Sequence, residues 1–212
     1  MRLCMDKIIC LGKNYPLHAQ EMKEGVPEVP AIFCKPPSVY QEIPMGKVLS
    51  VPWEEGWGEI HHELEVVFEV KQDCYRLPSL HALEEVFSAV ALGLDMTKRD
   101  LQGEMKKKGW PWELGKVFPN SALVGPRWPL SFYHELKDQP FTLHLNGELR
   151  QQGLVSQMGT SPLRGVELVS RYFPLKKGDL FFTGTPHGVG PVNKGEMATL
   201  TWGGRVLQVT WV

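Results

Sequence analysis

His61-His62-Glu63-Leu64-Glu65-Val66-Val67-Phe68-Glu69-Val70 is the segment from which both the fold class and the chemistry of this chain can be read. Val and Phe dominate its second half, so it reads as a strand. Side chains on a strand alternate between faces, which puts Glu63 and Glu65 on the same one. Two carboxylates side by side repel each other unless a cation lies between them. A hard divalent ion such as Mg²⁺ suits that place, because it prefers carboxylate and water oxygens. His61 shares the same face and would permit a zinc-like site. A histidine from this pair donating to a metal-bound carboxylate is the preferred reading, and a solvated acidic strand edge is the competing one.

Outward from this strand, Gly (21) and Pro (17) are spread along 212 residues, which points to many turns and a β-rich α+β domain with about three helices. Ile8–Leu11 and Ala31–Cys34 read as short strands, with a helix start at Asn14-Tyr15-Pro16 between them. Lys35-Pro36-Pro37 reads as extended or turning. From Ser79, the spacing of Leu80, Leu83, Val86, Phe87 and Val90 predicts a helix ending at Gly93. Asp95 follows as a turn or cap residue. Thr97-Lys98-Arg99-Asp100 has the spacing of a capping box for a helix reaching Lys108 and stopped by Gly109. The run Lys106-Lys107-Lys108 reads as that helix's solvated end.

Farther on, Phe141–Leu145 alternates into Asn146-Gly147, a hairpin signal. Ser161-Pro162 opens a helix whose Leu163, Val166, Val169 and Phe173 form a core stripe. Lys176–Asp179 turns into a strand at Leu180–Thr183. Ala198–Trp202 and Arg205–Trp211 flank Gly203-Gly204 as a second hairpin.

The net charge of −1 supplies no field for nucleic acid or an anionic membrane. No apolar run approaches the ~20 residues of a membrane span. Four cysteines without metal-ligand spacing read as reduced thiols, so the expected compartment is the cytoplasm. His18 and Glu21, three apart on a helix, share a face, as an imidazole base oriented by a carboxylate would. Lys116 sits in apolar surroundings, where its ammonium either snorkels out or meets an anion. Thr183-Gly184-Thr185-Pro186-His187-Gly188-Val189-Gly190 follows a strand and lacks the Gly-Lys-Ser/Thr ending of a P-loop. Its free backbone N–H groups suit a small carboxylate.

Five motifs then fall in one order: Gly12-Lys13-Asn14-Tyr15-x-x-His18-x-x-Glu21, His62-Glu63-x-Glu65, Leu94-Asp95-Met96-Thr97-x-Arg99-Asp100-x-Gln102, Pro111-Trp112-x-x-x-Lys116 and Thr183-Gly184-Thr185-Pro186-x-Gly188-Val189-Gly190. Together they resemble the fumarylacetoacetate hydrolase family, in particular its short acylpyruvase and oxaloacetate-acting branch. The resemblance covers about residues 7–212. It implies a mixed β-sandwich or roll, one catalytic domain over 1–212 and a homodimer. It implies Glu63, Glu65 and Asp95 as ligands of Mg²⁺ (or Mn²⁺). His18 and Glu21 become a water-activating dyad on a lid spanning residues 14–30, and Lys116 faces the substrate's anionic end. Gln102, Arg99, Thr185 and its neighbour Gly184 become contacts to a small 2-oxo acid. Lys13 stands where relatives often carry Arg, and so loses the two-pronged donor. The implied activity is hydrolysis of a C–C bond in an acylpyruvate to give pyruvate and a carboxylic acid. The alternative is decarboxylation or keto–enol tautomerisation of oxaloacetate, or isomerisation of a 2-hydroxy-dienedioate, in the same site.

Overall fold

The computed structural model describes residues 5–21 and 29–212, with only the backbone described at 18–20. The first half of the chain contributes β1 (Ile8–Gly12), α1 (Pro16–Glu21), β2 (Ala31–Lys35), β3 (Tyr40–Glu42), β4 (Val48–Val51), β5 (Ile60–His62), β6 (Leu64–Val70) and β7 (Phe87–Asp95). It is followed by β8 (Thr97–Lys98), α2 (Arg99–Lys108), α3 (Glu113–Lys116), β9 (Ala122–Val124), β10 (Trp128–Pro129) and α4 (Leu130–Leu136). The last part holds β11 (Phe141–Leu145), β12 (Glu148–Gly153), α5 (Pro162–Ser170), β13 (Leu180–Phe182), β14 (Gly190–Pro191), β15 (Met197–Trp202) and β16 (Arg205–Trp211). The class is β-rich α+β, as the sequence predicts.

The large sheet runs β2-β1-β13-β6-β7-β9-β3, with β10 also on β7, and mixes parallel with antiparallel pairs. A second sheet runs β12-β11-β15-β16-β4, and a small one runs β14-β5-β8. Both faces of β6 are buried. Val66, Phe68 and Val70 join the larger apolar cluster, whereas Val67 joins a smaller one with Ile8, Cys10, Phe33 and Phe182. Glu63 and Glu65 have the parity of Val67, so they open onto the smaller cluster's side.

The helix expected from Ser79 is not there. A 3₁₀ turn, Leu83–Glu85, leads into the nine-residue strand β7. All of β7 except Ser88 is buried. A strand covered on both faces shows no alternation, and its apolar run then matches a helical stripe by accident. Gly93, expected at that helix's end, lies mid-sheet opposite Glu65, where a Cβ would come within 2.9 Å of both the Leu123 carbonyl and Val67.

Helix α2 forms as expected and ends at Gly109 with φ +66°. Its capping box does not form: the cap position is Lys98, and Thr97 Oγ1 donates instead to the Asp95 carbonyl. The strand at 61–70 is broken at Glu63. The described residues hold five α-helices rather than about three, since α3 and α4 carry no strong sequence signal. Both hairpins form, with Asn146 at φ 52° and Gly147 at 85° in the left-handed region that such a turn requires.

Candidate active site

Three carboxylates converge where β6 begins and β7 ends. Asp95 N–H donates to the Glu63 carbonyl at 2.9 Å, which seats the two residues beside each other across the strand pair. One oxygen from each of Glu63, Glu65 and Asp95 lies within 4.8 Å of the others. The three residues are 6%, 2% and 1% exposed. So dense a cluster of negative charge is costly without cations, and the chain supplies several.

Lys116, on α3, inserts its Nζ between Glu63 Oε2 (2.8 Å), Asp95 Oδ2 (2.7 Å) and Thr97 Oγ1 (2.7 Å). Burial works against its charge, but Asp95 and Glu63 outweigh that and hold the ammonium above the ordinary lysine value. Arg99, at the start of α2, donates to Glu63 Oε1 and to Gln102 Oε1, both at 2.6 Å. Glu65 Oε2 accepts the Gly184 N–H at 2.6 Å. Burial, then Asp95 and Glu63, pushes the Glu65 carboxyl well above its usual range.

Lys35, which the sequence places only in an extended or turning segment, is marked by no local motif. It ends β2, its side chain is fully buried, and its Nζ reaches Asp95 Oδ1 (2.5 Å), the Ser121 carbonyl (2.6 Å) and the Met96 carbonyl (3.2 Å). The available signal is parity: Lys35 shares a strand face with the buried Phe33.

Gln151 is a second omission. Its Nε2 donates to Thr185 Oγ1 (2.8 Å) and the Pro186 carbonyl (2.9 Å), while its Oε1 accepts from Leu64 N–H and His62 Nδ1, both at 2.9 Å. Thr185 Oγ1 donates to the Leu64 carbonyl at 2.9 Å. To offer that hydrogen to a ligand, Thr185 must turn its hydroxyl.

Asn14, at the expected helix start, ties the approach to α1 onto the rest of the molecule. Its Nδ2 donates to the Thr160 and Thr183 carbonyls at 2.9 and 2.8 Å.

Neither histidine of the opening segment enters the carboxylate cluster. His61 pairs with Glu59 at 2.5 Å and accepts from Arg99 Nε at 3.3 Å, so it reaches Glu63 only through Arg99. Burial lowers the pKa of both His61 and His62. Glu21 is exposed and accepts the Gly188 N–H, which docks α1 on the glycine-rich loop. His18 lies on α1, and its side chain is outside the described residues, as is most of the lid segment past Glu21.

A narrow cleft covers the cluster, lined by Lys116, Arg99, Gln102 and Thr185 among others. Lys106, read as part of a solvated helix end, also lines it.

The donor set fits a hard divalent ion. It consists of buried carboxylate oxygens, and Asp95 Oδ1 makes no hydrogen bond beyond its ion pair with Lys35. Glu63, Glu65 and Asp95 are the residues that can hold the ion.

Buried acids under a cation-lined cleft, on a curled mixed sheet, have the character of a small-molecule enzyme site. The sequence model of the fumarylacetoacetate (FAA) hydrolase C-terminal domain matches residues 7–209, and the chain belongs to that family. It is 40% identical over 193 residues to the mitochondrial oxaloacetate tautomerase FAHD1 of Homo sapiens, covering 89% of this chain and 83% of that one. It is 35% identical over 204 residues to oxaloacetate tautomerase YcgM of Escherichia coli (strain K12), covering 96% and 91%. The crystal structure of fumarylpyruvate hydrolase from Pseudomonas aeruginosa, in complex with Mn²⁺ and pyruvate, superposes with a TM-score of 0.92 at 38% identity, covering 98% and 90%. Among the described residues no helix is long and apolar enough to cross a membrane.

Proposed function

We propose that this chain is a Mg²⁺- or Mn²⁺-dependent enzyme that binds a short 2-oxo acid and works through its enolate, with keto–enol tautomerisation of oxaloacetate as the leading activity. The observation that carries the reading is the buried trio of Glu63, Glu65 and Asp95 with the Lys116 ammonium among them. Relatives named as oxaloacetate tautomerases move this activity ahead of the hydrolysis that the sequence alone favours.

When bound, a divalent ion supplies Lewis-acid polarisation of the 2-oxo group. The chain's own residues do the rest. Lys116 stays charged in a buried site and stabilises the enolate oxygen as negative charge develops there, where such a group contributes most. Arg99 fixes Glu63 and Gln102, which keeps the amide of Gln102 turned towards the cleft. Gly184 and Thr185 form the floor beneath the substrate's carboxylate. His18, oriented by Glu21, takes the proton from C3 of oxaloacetate, and the same imidazolium returns it to the enolate oxygen to give the enol.

Hydrolysis of an acylpyruvate is the second reading. The Glu21–Gly188 contact favours it, because it brings α1 down onto the loop and can place His18 to take a proton from water. Residues 1–212 then form one catalytic domain with 14–30 as its lid. We infer that it works in the cytoplasm, with which the free thiols of Cys10, Cys34 and Cys74 accord, and that it is a homodimer.

The test follows the enol absorbance of oxaloacetate and, separately, pyruvate release from acetylpyruvate, each with Mn²⁺ and with excess chelator. Metal-dependent acceleration of enol–keto exchange supports the lead. Pyruvate release alone moves the assignment to hydrolysis, and no metal-dependent acceleration of either rejects both.

A further inference from the structure

Glu59 and His61 lie outside the carboxylate cluster, yet a chain of directed hydrogen bonds joins them to it. Arg99 is gripped on three nitrogens: Nε donates to His61 Nδ1 at 3.3 Å, Nη1 to Gln102 Oε1 at 2.6 Å and Nη2 to Glu63 Oε1 at 2.6 Å. A guanidinium is planar and rigid, so an acceptor on Nε sets the direction of the other two nitrogens. Nε carries a single hydrogen. Because that hydrogen points at His61 Nδ1, Nδ1 must present a lone pair, and the imidazole carries its proton on Nε2. Glu59 Oε1 lies 2.5 Å from Nε2 and accepts that proton's hydrogen bond. A carboxylate on one side of an imidazole orients the ring and strengthens the opposite nitrogen as an acceptor.

The small sheet assembles this chain without help from the Glu59 carboxylate. Strand β5 pairs β8 with Ile60 opposite Lys98 and His61 opposite Thr97, which brings the start of β5 beside the start of α2. The Arg99 N–H donates to the Glu59 carbonyl at 2.8 Å, and the Glu59 N–H donates to Asp100 Oδ2 at 3.2 Å. Glu59 and His61 are two residues apart and meet on one side of the strand, whereas His62 faces the other way, towards Gln151. The side chains of His61 and Arg99 are 12% and 13% exposed and that of Glu59 is 49% exposed. The chain of contacts therefore runs from solvent inwards to Glu63.

We propose that Glu59 is a positioning residue for the carboxylate cluster: through the His61 ring it fixes the Arg99 guanidinium, and through Arg99 it holds the Glu63 carboxylate ready for a divalent ion. The inference rests on the metal reading above, and it adds a residue that touches neither ion nor substrate.

The test uses the full chain, first metal-free and then titrated with Mn²⁺ by calorimetry. Nitrogen-15 spectra of the metal-free chain should show the His61 ring, identified by its loss in His61→Phe, as the Nε2–H tautomer. The Arg99 Nε–H, identified by its loss in Arg99→Lys, should exchange slowly with water. Glu59→Ala should speed that exchange and weaken Mn²⁺ binding, each by about tenfold, the lower end of what an outer partner of a metal ligand contributes. In Glu59→Gln an uncharged oxygen can still accept from Nε2–H, so both quantities should stay within about threefold of the parent, which leaves only a half-exposed charge to account for. Adding Glu59→Ala to His61→Phe should weaken Mn²⁺ binding no further than His61→Phe alone, as residues acting in series require. A parent ring in the Nδ1–H tautomer, unchanged affinity in Glu59→Ala, a Glu59→Gln loss equal to that of Glu59→Ala, or a loss that merely tracks a lower urea midpoint in chelator overturns the inference. A parent chain that binds no Mn²⁺ rejects the metal reading itself, and Arg99 exchange in the metal-free chain then still decides whether Glu59 positions Arg99.

Discussion

The Gly188 N–H lies 3.1 Å from each carboxylate oxygen of Glu21, so the short helix that carries His18 is tied to the same loop that delivers the Gly184 N–H to Glu65. The helix of the proposed base and the carboxylate cluster thus share one mechanical support. Replacing Glu21 with Ala should release the helix and leave the proposed base, His18, without the carboxylate assigned to orient it. We expect kcat to fall by about 10²–10⁴, the range a positioned base contributes. Glu21 is exposed, so folding stability should stay within about 0.5 kcal/mol. Steady-state kinetics with Mn²⁺ and urea unfolding check the two halves, and an unchanged kcat would remove Glu21 from the dyad.

Lys35 has no contact with solvent and neutralises Asp95 from behind. In Lys35→Met a buried carboxylate and the Ser121 and Met96 carbonyls lose their cation. Breaking such a pair costs about 3–5 kcal/mol. Chemical denaturation in excess chelator should show a loss of this size. Equal stability of variant and parent in chelator would mean that Asp95 does not depend on Lys35.

Gly184 and Gly147 both have left-handed backbones, at φ 92° and 85°. Only Gly184 is crowded: a Cβ there would sit 2.8 Å from Asn14 Cβ and 3.0 Å from the Leu11 carbonyl, whereas Gly147 has open space. Gly147→Ala should cost about 1 kcal/mol from backbone strain alone. Gly184→Ala should cost more and should also weaken Mn²⁺ binding, because its N–H is pulled off Glu65. Thermal melts and Mn²⁺ titrations of the pair separate strain from crowding, and matching losses in both would refute the crowding argument.

Glu65 should make the metal-free protein sensitive to pH. Its folded pKa is raised, first by burial and then by Asp95 and Glu63. The native state therefore holds a proton that the unfolded chain releases near the ordinary glutamate value of about 4.3. The resulting stability is complete below that value and is lost as pH rises through the folded one. Metal affinity runs the opposite way and rises over the same window, because the ion must displace that proton. Denaturation in chelator from pH 4 to 8 should show the decline, and Glu65→Gln should flatten it. A flat profile for the parent would contradict the raised value.

Local signals made much of this fold readable. Asn146-Gly147 and Gly203-Gly204 turn where the sequence says they do, and Ser161 caps α5 by accepting the Arg164 N–H. The failures have separate physical causes. Phe87–Asp95 is buried on both faces, so its pattern carries no period of two and a helical spacing fitted it equally well. Helix α4, Leu130–Leu136, begins after Pro129 with no side-chain cap, which leaves little to recognise. In the site, the paired glutamates and Lys116 were visible because their residue types are unusual in apolar surroundings. Lys35 and Gln151 were missed because each looks ordinary until its distant partners are known.

By itself the sequence determined which side chains share a strand face, where the chain turns, and that two carboxylates would compete for one cation, all properties of neighbouring residues. Only the tertiary structure decided that Asp95 joins Glu63, that Lys35 arrives behind it and that Lys106 turns inward over Trp112. Those outcomes depend on the register in which β6 meets β7, and on how α2 lies across the sheet. Register and packing are set by burying both faces of the central strands at once, a condition no single segment contains.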